Sequence, residues 1–166
     1  MRAGDLGFAH TTGIMGRAIR FGEWIRGRSN ASTWNHAFIL DRPAENGDWY
    51  IIQAEAKGVT NDKLLSQVAP GGTYQIVPLP AILPEIYLLR FARAQVGAKY
   101  GIVTIISCVL DILLPDSICL RRSNTWICSG LVAASLMYSG CDTTMNMAKK
   151  DIYTIMPSEL FTALTA

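Results

Sequence analysis

The order of elements along the chain predicts an α+β fold, with helices packed on one side of a small antiparallel sheet. Strand patterns crowd the first half of the sequence and helical patterns the second, a segregation that favours an antiparallel sheet with the helices on one face. The 166 residues, half of them hydrophobic and 17% charged, suffice for one domain over residues 1–166. A chain of that length can bury a core without a metal or a disulfide.

Gly4-Asp5-Leu6-Gly7-Phe8-Ala9 reads as a turn feeding a short strand. Over residues 13–26, Ile14, Ala18, Phe21, Trp24 and Ile25 recur at helical spacing. A polar loop then leads to a strand over 35–41. Pro43 and Asn46-Gly47 mark a turn, and residues 49–56 form the partner strand of a hairpin. A short helix is expected around 62–68 and a third strand over 74–79. Residues 84–96 read as a helix, with Pro84 tolerated in its first turn and Gly97 as its stop. An apolar helix follows over 102–114, then a basic loop, then a helix over 125–138 closed by Ser139-Gly140. The tail, 151–164, carries a short strand and a helical turn led by Pro157.

Composition excludes several functions. A net charge of +2 is too small to argue for nucleic acid, and there is neither a zinc-spaced Cys/His cluster nor a glycine-rich phosphate loop. No cofactor or metal is therefore expected. The start of the chain lacks an apolar signal core, so synthesis in the cytoplasm is expected, with release by lysis or a dedicated machine left open for a phage or secreted product. The stretch 102–114 contains Asp111 and falls short of the about 20 residues that span a bilayer. Without an export signal, Cys108, Cys119, Cys128 and Cys141 are expected as thiols.

The chemistry centres on Cys128 in Trp126-Ile127-Cys128-Ser129-Gly130. Thr125 or Asn124 can cap the helix that begins there, which places Cys128 in its first turn. Unpaired N–H groups and the helix dipole favour the thiolate at that position. The Cys128 backbone N–H can help hold an oxyanion. A buried structural cysteine is the competing reading.

The chain has two histidines, His10 and His36. His36 heads a strand on which it shares a face with Phe38 and Leu40, and a thiolate needs one such base. His10 reads as a loop residue. A packed core histidine is the bland alternative for His36. An acceptor should orient the base; Ile51, Gln53 and Glu55 share a face of the next strand. Glu55 is the first choice and Gln53 the second.

These residues, taken in order, resemble the circularly permuted branch of the NlpC-type cysteine peptidases, the YiiX-like proteins with a papain-like fold. The matching pieces are Gly4-Asp5-Leu6, Asn35-His36, Glu55-Ala56 with Gly58-Val59, Gly97 with Lys99-Tyr100-Gly101, Ile127-Cys128-Ser129, and Pro157 with Leu160. They fall in order over nearly the whole chain. Two features depart from that family: Gly130 stands where it usually has Glu, and 102–114 is greasier than the usual connection. The resemblance implies a permuted papain-like fold with Cys128 as nucleophile, His36 as base and Glu55 as the orienting residue. It also implies hydrolysis of amide bonds, in peptidoglycan peptides or related cell-wall amides. A lipid acyltransferase or thioesterase on the same fold and a non-catalytic binding module are the alternatives. The expected partner is a peptide, amide or acyl-lipid substrate. Arg17, Arg20, Arg26 and Arg28 near Trp24 suggest peripheral contact with a membrane or an anionic cell-wall polymer, against the plainer reading of a solvated helix face. Arg121-Arg122 could hold a substrate carboxylate, and Tyr100 could line the site.

Overall fold

Five strands form one antiparallel sheet in the order β4-β3-β2-β1-β5. The structure, a computed structural model, describes residues 1–11, 34–68, 70, 73–81, 83–101, 125–141 and 155–165. The strands are β1 (Leu6–Ala9), β2 (His36–Pro43), β3 (Trp49–Glu55), β4 (Gly58–Leu64) and β5 (Tyr74–Val77). Among the described residues four helices accompany them: α1 (Leu65–Val68), α2 (Glu85–Ala94), α3 (Cys128–Tyr138) and α4 (Pro157–Thr165). Two short strands, β6 (Lys99–Tyr100) and β7 (Thr125–Trp126), pair in parallel. The architecture is α+β, as the element order predicts.

Alternation along the strands divides the core. Leu6, Phe8, Ala37, Ile39, Ile52 and Ala54 face the helices, where they meet Leu88, Leu131, Leu136 and Leu160. Phe38, Leu40, Ile51 and Leu65 form a smaller cluster apart from it. Helix α3 is buried at every position from Cys128 to Leu136, so it runs through the core rather than along its surface. Truncating such a residue, Leu131 for instance, would cost about 2–5 kcal/mol. The helix that carries the cysteine is thus held by the main core.

Buried polar groups pin the frame at both ends of β2. Asn35, 1% exposed, accepts from the Thr11 N–H at 2.8 Å and donates from Nδ2 to the Thr11 carbonyl at 2.7 Å, fixing the residue before His36. Asp5 accepts from the backbone N–H groups of Arg2 and Leu79, tying the N-terminal turn to the end of β5. Asp41 accepts from Arg42 and Arg93, joining β2 to α2. Each of these carboxylates is buried but satisfied by several donors, which is the condition under which a buried charge is tolerated.

Four expectations need correction. Residues 58–64 form β4, so helix is confined to Leu65–Val68; pairing with β3 overrides the polar local sequence Thr60-Asn61-Asp62-Lys63. Helix α3 starts at Cys128, after Ile127 in extended conformation with no side-chain cap, while Thr125 lies in β7. Helix α2 is shorter at both ends than 84–96. The strand β2 runs on to Pro43 through an irregularity between Leu40 and Arg42. The expected helices over 13–26 and 102–114, the tail strand, Arg121-Arg122, Cys108 and Cys119 lie outside the described residues.

Gly58 carries one joint of this frame. Its φ is +116°, and a Cβ there would meet the Ala98 carbonyl oxygen at 2.5 Å. That same oxygen accepts the Val59 N–H, and the Gly97 N–H returns to the Val59 carbonyl. Gly58→Ala is expected to cost about 1–3 kcal/mol, since it adds strain and a backbone clash. Gly47→Ala, at φ +82° in open space, should cost only the conformational penalty of about 1–2 kcal/mol. Urea unfolding of the two variants measures the difference.

Candidate active site

The first residue of β2 and the first residue of α3 meet. His36 and Cys128 interact through a side-chain hydrogen bond and through charge. The Ala37 N–H also reaches the Cys128 sulfur, as does the N–H of Ser129 in the first turn of α3. Helix starts leave such N–H groups without partners inside the helix, and here the sulfur uses one of them.

His36 is gripped from its other side. Its Nε2 lies 2.7 Å from the Gln53 Oε1; with the amide oxygen as acceptor, Nε2 carries the proton and donates it. Nδ1 is then the nitrogen left to face Cys128. Phe38 flanks the ring, with centroids 6.2 Å apart. Gln53 is 1% exposed, so water does not compete for the bond that fixes the imidazole.

The orienting contact comes from Gln53 and not from Glu55, the residue the sequence favours. The β2–β3 register pairs Phe38 with Gln53, and His36 reaches the amide diagonally, a contact within range for long side chains on neighbouring strands. Glu55 Oε2 instead takes Lys63 Nζ at 2.7 Å. Glu55 still acts on His36 at a distance, its negative charge favouring the protonated ring. His10 is not drawn into this contact; its backbone N–H bonds the Thr73 carbonyl at the end of β5.

Charge in the pair follows from competing effects. Burial opposes a charged ring at His36. The hydrogen bond and charge of Cys128 outweigh it with help from Gln53 and Glu55, so the pKa of His36 is raised. Burial likewise opposes the thiolate. The hydrogen bond and charge of His36, with the N–H groups of Ala37 and Ser129, outweigh it and lower the pKa of Cys128. The two shifts have opposite directions and one cause: each group, when charged, favours the charged form of the other. Cys128 is only 2% exposed, so water screens its thiolate little.

Tyr100, at the end of β6 beside Trp126, belongs to the same neighbourhood. Burial and the negative charges of Cys128 and Glu55 push its pKa up, so its hydroxyl stays a neutral donor. Trp126 donates from Nε1 to Gln95 Oε1 at 3.0 Å, fixing β7 against the end of α2. Ser129 donates from Oγ to the Ile155 carbonyl, anchoring the start of α3 next to α4. Among the described residues no group of three His, Cys, Asp or Glu side chains is placed to hold a metal. Cys128 is a free thiol.

Comparison with known proteins finds no family model that matches the chain and no curated relative similar to it.

The electrostatics predict how Cys128 reacts. Small alkylating reagents should modify it at a pH below the ordinary thiol range, because its pKa is lowered. In His36→Ala only burial and the two N–H groups remain, so the midpoint of the alkylation profile should move up. Gln53→Leu should also move it up, by less, whereas Glu55→Gln should leave it nearly in place. Rates of iodoacetamide labelling against pH, read at Cys128 by mass spectrometry, test all three.

Proposed function

We propose that this protein is a cysteine hydrolase that cleaves amide bonds, with Cys128 as nucleophile, His36 as general acid and base, and Gln53 as the residue that orients His36. The observation that carries this reading is the imidazole held between Gln53 Oε1 at 2.7 Å and the thiol at the start of α3. A nucleophile, its base and an orienting acceptor in sequence of contact are the parts of an activated thiol. Fold order supports a permuted papain-like domain: the strands with His36 and Gln53 come first and the cysteine helix comes after them. Peptidoglycan stem peptides and related cell-wall amides are the proposed substrates, on the strength of the sequence resemblance.

In the proposed reaction the Cys128 thiolate attacks the carbonyl carbon and the carbonyl π pair moves to oxygen. The Cys128 N–H donates to that oxyanion, with the Tyr100 hydroxyl as the second donor. Collapse of the tetrahedral adduct breaks the C–N bond, and the imidazolium of His36 gives its proton to the departing amine. His36, now neutral, takes a proton from water as the water oxygen attacks the thioester carbon. The second collapse releases the acid and returns the thiolate–imidazolium pair. The buried site limits stray water during the first half of the cycle.

The pH dependence follows from the two shifts. Activity requires Cys128 deprotonated and His36 protonated, so kcat/KM should rise through the lowered cysteine pKa and fall through the raised histidine pKa. The acid limb should therefore lie below the ordinary thiol range and the alkaline limb above the ordinary imidazole range. His36→Ala should lower the rate by about 10²–10⁴-fold, and Cys128→Ala should abolish it. Incubation with peptidoglycan fragments and with phospholipid vesicles, followed by mass spectrometry, distinguishes the substrates. New amine and carboxylate ends on peptides, lost in Cys128→Ala, support the proposal. Acyl transfer to Cys128 from lipid alone assigns the same pair to lipid chemistry, and an inert Cys128 with both substrates contradicts an enzyme.

A further inference from the structure

Large apolar side chains are exposed in one region. Five of the six such residues among those described, Ile86, Tyr87, Val96, Met137 and Tyr138, lie on α2, just after it, or at the end of α3. The two helices join there: Phe91 lies four residues beyond Tyr87 on α2, and its ring sits 5.1 Å from that of Tyr138. Leu88, Leu89 and Ala92 take the inward side of α2, which turns Ile86, Tyr87 and Arg90 outward together. Ile86 is 67% exposed and Tyr138 55%, and exposed apolar side chains grouped together mark a surface suited to contact.

The charges around this region are mostly positive. Arg93 is tied to Asp41, but among the described residues the side chains of Arg90, Lys99 and Lys57 make no hydrogen bond or ion pair. Lys57 and Lys99 are brought near each other by the close approach of Gly58 to Ala98 and Lys99. Glu85 is the one carboxylate on α2. At the Ile86 end the face opens into a cleft of about 550 Å³ lined by Ala3, Glu85, Ile86, Leu89, Arg90 and Arg93. Arg90 thus stands, with no side-chain partner among the described residues, in a cleft where Ala3, Ile86 and Leu89 supply the apolar wall and Glu85 and Arg93 the other charges.

We propose that this face, the outer side of α2 with the end of α3, docks on an anionic lipid membrane. Tyrosine and aliphatic side chains suit the boundary between headgroups and acyl chains, and lysine and arginine suit the phosphates above it. Arg90 in its cleft meets a lipid phosphate, while Lys57 and Lys99 add long-range attraction. A second copy of the chain fits less well, because a face-to-face pair would oppose these cations with only Glu85 to offset them. The docking does not depend on the activity of Cys128, although Phe91 also touches Trp126, two residues before it, with centroids 5.9 Å apart.

Sedimentation with phosphatidylcholine vesicles, with and without phosphatidylserine, tests the proposal. The protein should bind the phosphatidylserine vesicles and release from them at high salt. Neutralising the three cations together, Arg90→Gln, Lys57→Gln and Lys99→Gln, should weaken binding about a hundredfold, since each contributes about 1 kcal/mol at an anionic surface. Ile86→Ser with Tyr138→Ser should weaken it separately while leaving the circular dichroism spectrum unchanged. No binding to phosphatidylserine vesicles would overturn the proposal, as would binding that both sets of variants leave intact. A dimer in analytical ultracentrifugation that the Ile86 and Tyr138 variants dissolve would assign the face to a second copy instead.

Discussion

Everything at the proposed site depends on the mutual stabilisation of two charges that burial opposes. A lone imidazolium would be disfavoured where His36 lies, and a lone thiolate would be disfavoured where Cys128 lies. Together each supplies what the other lacks. The remaining stabilisation comes from groups that the fold cannot easily withdraw: two backbone N–H donors aimed at the sulfur and one amide oxygen aimed at the ring. Because these are held by a strand, a helix start and a buried side chain, the pair requires little reorganisation to form.

The surrounding frame can be understood as the means of keeping β2 and α3 in register with each other. Asn35 fixes the chain as it enters β2, and Asp41 ties the far end of β2 to α2. Helix α3 is buried along its length and anchored at its start by the Ser129 hydroxyl on the Ile155 carbonyl. Phe161 of α4 packs edge-on against Phe8 at 5.2 Å and lies 5.7 Å from Trp34. These contacts come from residues far apart in sequence, so the site exists only when the whole sheet and its helices have assembled.

Much of this was legible in the sequence where a local signal was strong. The alternation of Phe38, Leu40, Ile51 and Gln53, with Asn46-Gly47 between them, marks the hairpin because turn and period agree. Small residues after Cys128 and the apolar run to Leu136 mark its helix. Other features are set by contacts that no local pattern carries. β4 is polar in sequence and is a strand because β3 pairs with it. β6 and β7 are too short to have a period at all. The side chain that meets His36 is Gln53, the second choice from sequence, two positions before Glu55 on the strand. Glu55 and Gln53 share a face, and choosing between them needs the pairing register and the presence of Lys63 beside Glu55, a residue eight positions away. With Lys63 engaging the carboxylate, the neutral amide is left for His36, and an amide oxygen accepts from an imidazolium without neutralising it.

The central claim is that charge appears on His36 and Cys128 together. Nitrogen-15 NMR of the His36 ring, titrated alongside the ultraviolet absorbance of the thiolate, tests it most directly. The account predicts a protonated His36 over the same pH range in which Cys128 is a thiolate, and a His36 pKa that falls in Cys128→Ser because burial then acts on the ring without its charged partner. A neutral His36 ring beside a protonated thiol at neutral pH, unchanged by Cys128→Ser, would contradict it.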